Sequence, residues 1–326
     1  MLSTSAARRV VVTDYTFPSL GREQAAAEAA GAAFEAFQCK SADEVAQAVR
    51  GADVAVVQFA PCDAAAIAGL APGATLLRYG IGYDNIDVAA AAAQGMPVGY
   101  VPDYCIAEVA DHTATLLLTL LRKIVPLDAS VRQGRWDAVA VARSLRPLDA
   151  TTVGFLGFGR IGREVCARLA PFGFNFIAAD PALQDAEAAG LGIRRVSPEA
   201  LFREADALSL NAPAVPETIG IVNRDTLRLM QPHAVIVNTA RGKLIDEPAL
   251  AEALHAGRIA GAGLDVFDSE PLPADSPLRG APGLLLSPHA AWYSEAAIDR
   301  LQQLVAQDIA AALAGGRPRR PVPGSA

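Results

Sequence analysis

The sequence predicts an α/β protein made of two flavodoxin- or Rossmann-like, doubly wound parallel-sheet domains. Three observations carry this. Short apolar or β-branched runs alternate with alanine-rich helical stretches along the whole chain. The runs are continuously apolar, as strands covered on both faces must be, rather than alternating in and out. The length, 326 residues, makes roughly two domains at ~150 residues each.

In chain order the expected strands are Val10–Thr13, Val54–Val57, Leu76–Tyr79, Val153–Leu156, Phe176–Ala179, Ala207–Leu210, Ala234–Val237, Gly263–Phe267 and Leu284–Leu286. Glu23–Ala30, Asp43–Arg50, Ile161–Phe172, Pro198–Glu204 and Pro248–Ala256 read as helices between them. Asp103–Lys123 is the longest helical pattern, free of Gly and Pro, and reads as a connecting helix. The turn-rich stretch Gln133–Asp149 separates it from a fresh strand. Glu295–Leu313 reads as one amphipathic helix, with Ile298, Leu301, Leu304, Val305 and Ile309 on one face. Gly315-Gly316 stops it, and the Pro- and Arg-rich segment Arg317–Ala326 is expected to be disordered. The expected division is residues 1–102 plus 294–326 as a discontinuous substrate domain and 103–293 as the dinucleotide domain, with the active site in a cleft between them.

Hydrophobic residues make up 52% of the chain and charged residues 19%, which excludes global disorder. Lys+Arg 28 against Asp+Glu 35 leaves a net charge of −7, and lysine occurs only at Lys40, Lys123 and Lys243. Neither nucleic acid nor a membrane surface is an expected partner of such a chain. The four cysteines, Cys39, Cys62, Cys105 and Cys166, have no CxxC pairing and no histidine at ligand spacing. Reduced thiols and no metal are expected, in a cytoplasmic protein. The apolar run after Arg8-Arg9 is too short for a signal peptide, and Ala114–Leu121 is far short of the ~20 residues that cross a bilayer.

Chemistry enters at Gly157-Phe158-Gly159-Arg160-Ile161-Gly162, where a strand runs into a helix. Gly157 permits the tight turn, Gly159 lets a pyrophosphate approach the backbone, and Gly162 allows close helix–strand packing. The phosphates then meet the N–H groups that open the helix. Asp180 ends the next strand eighteen residues past Gly162, near the ~20 expected of a ribose-binding acid. It would accept from ribose hydroxyls and repel a 2′-phosphate, so NAD is expected over NADP unless Arg194 and Arg195 fold back toward it. No Tyr is followed four residues later by Lys, and Gly242-Lys243 is followed by Leu244. Those absences remove the short-chain dehydrogenase and P-loop classes.

Asn238-Thr239-Ala240-Arg241-Gly242, Asp265–Pro273 and Ser287–Tyr293 each follow an apolar strand, where α/β folds gather their sites. With Arg78-Tyr79-Gly80-Ile81-Gly82-Tyr83-Asp84-Asn85-Ile86-Asp87 at its start, the chain to Tyr293 resembles the D-isomer-specific 2-hydroxyacid dehydrogenases. Residues 1–75 match mainly in strand–helix rhythm. Ala290-Ala291-Trp292-Tyr293-Ser294-Glu295 looks most like the C-terminal-binding-protein branch. The guanidinium of Arg241 suits a two-bond grip on a substrate carboxylate. His289 suits proton donation to a carbonyl oxygen, with Glu270 orienting its imidazole. The resemblance further implies Asp265 beside the nicotinamide carboxamide and Asn211, Ala212, Pro213 and Glu217 in a loop over the cofactor. It likewise implies Thr239 and Ala240 on the cofactor, Ile81 and Gly82 as backbone donors to the carboxylate, and a homodimer.

The formate-oxidising branch carries Gln where Glu270 stands, so a carboxylate favours a 2-oxo or 2-hydroxy acid. Gln58-Phe59-Ala60-Pro61-Cys62 has no Arg or Lys to neutralise a phosphate, which argues against phosphohydroxypyruvate. Trp292 is either an apolar wall for the substrate side chain or interdomain packing. His112, His233 and His255 receive no catalytic role. The expected function is reduction of a 2-oxo acid with an apolar side chain. The competing expectation is an NAD(H)-gated interaction protein with weak or vestigial turnover.

Overall fold

The computed structural model describes residues 7–325. They fall into two compact units, residues 7–104 with 294–325, and Cys105–Tyr293. The first unit runs β1 (Arg9–Val12), α1 (Gly21–Ala29), β2 (Ala33–Ala36), α2 (Ala42–Ala48), β3 (Val54–Val57), α3 (Ala64–Gly69), β4 (Thr75–Arg78), α4 (Val88–Ala93) and β5 (Val98–Gly99). Its five strands are parallel in the order β2-β1-β3-β4-β5.

The second unit opens with α5 (Ile106–Leu121), α6 (Ile124–Arg132) and α7 (Ala138–Val141). It continues through β6 (Thr152–Leu156), α8 (Arg160–Leu169), β7 (Asn175–Ala179), α9 (Asp185–Gly190), β8 (Ile193–Arg195), α10 (Pro198–Glu204) and β9 (Ala207–Leu210). It ends with α11 (Arg224–Leu229), β10 (Val235–Asn238), α12 (Glu247–His255), β11 (Gly261–Leu264) and β12 (Leu284–Leu286). The seven strands are parallel in the order β12-β11-β10-β9-β6-β7-β8. α13 (Glu295–Leu313) belongs to the first unit, where its Gln302 Nε2 donates to the Ser19 carbonyl at 2.7 Å and to the buried Glu23 at 3.2 Å.

The nine strands expected from apolar runs are present, and three more join them. β2 and β8 close sheet edges and are mostly solvent-facing, so they lack the apolar run that marks a central strand. β5 is only two residues long. The pattern Asp103–Lys123, expected to be the longest helix, forms α5 with 16 residues against 19 in α13: Lys123 adopts φ 51, and α6 starts afresh beyond it with Pro126 inside its first turn.

In each sheet the strand order reverses beside its first strand, at β1/β3 and at β6/β9. An aspartate ties the opposite end of each such pair. Asp53 Oδ2 accepts from Arg9 N, and Asp206 Oδ2 from Thr152 N, both at 2.7 Å. The loops leaving the C-terminal strand ends therefore diverge at one crevice per sheet, the place where α/β folds bind ligands.

The segment 317–325 departs from expectation. Its Pro and Arg content suggests disorder, but the residues dock on the edge strand β5. Gly99 bridges Pro321, Val322 N donates to Val98 O at 2.8 Å, and Val322 is buried. Arg319 pairs with the buried Asp308 of α13 at 3.2 Å. An edge strand has unpaired backbone groups, and the docked segment satisfies them: Tyr100 N finds its acceptor on Arg320 O at 3.1 Å. Deleting residues 317–326 should therefore strip protection from the Tyr100 amide in hydrogen exchange while Tyr79 N, bonded to Val57 O, keeps its own. A Tyr100 amide still protected after the deletion would contradict this docking.

Candidate active site

At the end of β6 the chain turns at Gly157, φ 83, where a Cβ would come within 2.8 Å of Ala212 N. At Gly162, in the first turn of α8, a Cβ would lie 2.9 Å from Gly157 O. Gly159 differs: a Cβ there would meet nothing within 4 Å. Its bare backbone faces open space beside the N–H groups of Arg160 and Ile161 that start α8, a cradle matching a dinucleotide pyrophosphate. Phe158 is buried, with the Arg163 guanidinium 5.2 Å from its ring centroid.

Asp180, just past β7, accepts from Phe158 N at 2.6 Å through Oδ2 and from Ala182 N at 2.7 Å through Oδ1. It thus ties the glycine turn down while each oxygen retains a lone pair for a ribose hydroxyl. Arg194 pairs with Glu204, and Arg195 with Asp185 at 3.0 Å, so acids take up both arginines that would have served a 2′-phosphate.

Across the crevice, Asn211 donates to Ser209 Oγ at 3.0 Å, and its Oδ1 is buried without a hydrogen-bond partner. An acceptor left bare beside the glycine turn fits a site that a polar ligand completes. Ala212 is buried, and Pro213 O accepts from Thr218 Oγ1 at 2.6 Å, which shapes the loop carrying the exposed Glu217.

Three consecutive strands deliver the ionisable groups. Beyond β10, Asn238 builds the turn of Thr239, Ala240 and Arg241, accepting from Ala240 N at 3.0 Å and donating to Arg241 O at 2.8 Å. Thr239 Oγ1 lies 2.7 Å from Thr113 Oγ1 of α5. Gly242 then touches the loop after β11 so closely that any Cβ would overlap the Phe267 carbonyl. Only glycine allows that approach, which brings the Arg241 turn against the segment carrying Glu270. Asp246 does not pair with Arg241; it caps α12, accepting from Ala249 N at 3.0 Å.

Glu270 Oε2 sits 2.7 Å from His289 Nδ1, and Oε1 accepts from Phe267 N at 2.9 Å. Burial pushes the Glu270 carboxyl up. The His289 hydrogen bond and charge, the Phe267 N–H and the Arg241 charge together outweigh burial, leaving it below the usual carboxylate range. His289 itself occupies the left-handed region, φ 51, costly for a side chain with a Cβ. Asp265 supports that conformation. Its carbonyl accepts from His289 N at 2.7 Å, and its fully buried carboxylate accepts from Ala290 N and Ala291 N, both at 2.9 Å, and from Ser287 Oγ at 2.5 Å. Trp292 and Tyr293 follow, edge to face at 5.9 Å.

In the first unit, Ile81 and Gly82 are half-buried in the loop after β4. Sequence reasoning passed over Arg78, the last residue of that strand. Gly80 has φ 130, and a Cβ there would overlap the Arg78 guanidinium, which lies 5.9 Å from the Phe59 ring centroid. A cation ending an otherwise buried strand was the available signal. The Phe59 loop is held by Asp14, which accepts from Gln58 N at 3.0 Å, Phe59 N at 2.5 Å and Ala60 N at 3.0 Å.

The contrast among the glycines is testable. Gly159→Val should leave the melting temperature within ~1 °C while weakening NADH binding by at least ~10-fold, measured by fluorescence titration. Gly157→Ala should instead cost more than ~2 kcal/mol of stability, from strained φ and overpacking. Unchanged NADH affinity in Gly159→Val would remove the pyrophosphate from this turn.

Comparison with known proteins agrees with this geometry. Residues 114–291 match the family described as D-isomer specific 2-hydroxyacid dehydrogenase, NAD binding domain. The chain is 40% identical over 269 residues to D-3-phosphoglycerate dehydrogenase of Mycobacterium leprae, covering 82% of this chain and 50% of that protein. It is 38% identical over 236 residues to glyoxylate reductase of Korarchaeum cryptofilum, covering 72% and 71% respectively. Among solved structures, the TT0316 protein of Thermus thermophilus superposes with a TM-score of 0.85 at 32% identity, over 96% of this chain and 99% of that one. The chain spans about half the length of the mycobacterial relative. With the matched segment holding the glycine turn, Arg241, Glu270 and His289, the chain belongs to the D-isomer specific 2-hydroxyacid dehydrogenase family, and its second unit is an NAD-binding domain.

Proposed function

We propose that the chain is an NAD-dependent D-2-hydroxyacid dehydrogenase that reduces a 2-oxo acid with an apolar side chain, and that it stands with the C-terminal-binding-protein-like branch. The observation that carries the reading is the 2.7 Å contact between His289 Nδ1 and Glu270. With Nδ1 committed to a carboxylate, the proton available to a substrate is the one on Nε2. Arg241 grips the substrate carboxylate and turns the keto oxygen toward His289. NADH, when bound, supplies hydride to the keto carbon. His289 gives its proton to the oxygen, and Glu270 stabilises the imidazole through the transfer; such donation contributes about 10²–10⁴-fold. The R–CO–COO⁻ substrate thereby becomes R–CHOH–COO⁻.

Gly157–Gly162 would hold the pyrophosphate, Asp180 the ribose, and Asn211–Glu217 with Thr239 and Ala240 the nicotinamide half. The apolar preference rests on the loop Gln58–Cys62, which itself carries no Arg or Lys. Gln58 and Cys62 are buried, and Phe59 is exposed. The Arg78 guanidinium, 5.9 Å from the Phe59 ring centroid, is the feature of this loop's surroundings that favours an anionic side chain, and the substrate panel decides between the two.

NADH oxidation measured against a panel of 2-oxo acids tests the reading. Turnover should favour apolar and thioether side chains over phosphohydroxypyruvate, with kcat falling at least ~100-fold in His289→Gln and kcat/KM at least ~100-fold in Arg241→Lys. Tight NADH binding without turnover of any acid would instead establish an NAD(H)-gated binding protein. Normal turnover in His289→Gln would remove the acid assignment.

We also propose that the second unit dimerises through α6 and α7. Trp136 is 92% exposed and Val139 85%, and the same unit holds a cavity of about 810 Å³ lined in part by Val125, Val141, Leu145 and Leu284. Such a concentration of exposed apolar surface marks an interaction site. Sedimentation should show a dimer that Trp136→Asp converts to monomer; a variant that still sediments as a dimer would exclude this surface.

A further inference from the structure

His112, on α5, has no role in the mechanism above, yet its side chain reaches behind the turn that presents His289. His112 Nε2 lies 3.0 Å from Ser287 Oγ, Ser287 Oγ lies 2.5 Å from Asp265 Oδ1, and His112 Nε2 to Asp265 Oδ1 is 3.7 Å. Hydrogen positions follow from which of these groups can donate. The Asp265 carboxylate is fully buried and can only accept. Ser287 has one hydroxyl proton, which goes to Asp265, so Ser287 Oγ accepts from His112 and the imidazole carries its proton on Nε2. The opposite tautomer would present a lone pair and compete for the serine proton, leaving a buried carboxylate short of a donor.

We infer that His112 is a positioning residue: through Ser287 it holds the Asp265 carboxylate in the orientation that keeps residues 289–291 in their turn. Asp265 accepts from Ala290 N, Ala291 N and Ser287, and its carbonyl takes His289 N. These bonds flank a histidine held at φ 51, a conformation that persists only where its surroundings over-determine it. If Asp265 rotates to find another donor, the Ala290 and Ala291 N–H groups lose their acceptor and His289 is freed to relax. Beside His112, Thr113 of the same helix meets Thr239 at 2.7 Å. Adjacent residues of α5 thus support the two turns that carry Arg241 and His289.

The inference rests on the proposed role of His289 only where it concerns turnover; the positioning itself is read without activity. His112→Gln places an amide N–H near the Nε2 position, His112→Leu removes the donor, and Ser287→Ala breaks the middle link should the leucine variant fail to fold. In ¹⁵N-histidine-labelled protein, His112 should show a protonated Nε2, with its resonance displaced in Ser287→Ala. Hydrogen exchange at the Ala290 and Ala291 amides should accelerate in His112→Leu and Ser287→Ala and stay near wild type in His112→Gln. With a 2-oxo acid that the wild type reduces, His112→Leu should lose about 10- to 100-fold in kcat with KM little changed, as small misplacements of a reacting group do, and His112→Gln should recover most of it. Unchanged amide exchange in both disrupting variants, or a glutamine variant as impaired as the leucine one, would overturn the positioning role. A wild type without turnover would count against the dehydrogenase reading and leave the exchange result to decide the positioning.

Discussion

Carboxylates accepting backbone N–H groups are the interaction on which the rest of the structure depends. A parallel sheet sends every strand out at one edge into an irregular loop, and the loop's N–H groups have no ladder partner. In this chain acids take that place. Asp14 grips residues 58–60, Asp180 the turn at Phe158, Glu270 the amide of Phe267, and Asp265 those of Ala290 and Ala291. Each bond ties a loop within itself or to the loop after a neighbouring strand, so within each unit loops distant in sequence are held together. A charge-assisted bond to a carboxylate is roughly twice as strong as a neutral one, which suits loops that must hold a reacting group still.

The proposed function would use the same groups twice. Asp180 shapes the glycine turn with the oxygens that would meet a ribose. Glu270 anchors its own loop through one oxygen and orients His289 through the other. The held groups are otherwise unfavourable: a histidine at φ 51 and a backbone crossing at Gly242 with no room for a Cβ. Strain of order 1–3 kcal/mol at such a residue is retained where several bonds oppose its relaxation, and here those bonds converge on Asp265.

What the sequence made legible follows from how local each signal is. The glycine turn could be read because its three glycines meet needs fixed by spacing alone: a positive φ, an open approach and a tight helix. The order of Arg241, Glu270 and His289 could be read because each follows a continuously apolar run. β2 and β8 were not legible, since an edge strand is exposed and loses the apolar run. The docked tail was missed because composition reports how readily a segment disorders, while Val322 and the open edge of β5 are facts about another part of the chain. Arg78 and His112 were given no role for the same reason. Arg78 acquires its surroundings from the open backbone at Gly80 and the ring of Phe59, and His112 from a serine just past a strand far along the chain.

Sheet register explains how groups so far apart in sequence come together. Arg241, Glu270 and His289 follow β10, β11 and β12, which are neighbours paired Val237 to Gly263 and Gly263 to Leu285. Adjacent strands lie about 4.8 Å apart, so two strand spacings separate the first turn from the last. A slip of one residue at either pairing would turn every following side chain to the other face, swinging Ser287 away from Asp265 and Arg241 away from Glu270. Length changes in the loops leading into these strands from the opposite sheet edge leave that register alone. The tight constraint on this site is therefore the pairing of three short strands, with α5 tying the turns after the first and the last through Thr113 and His112.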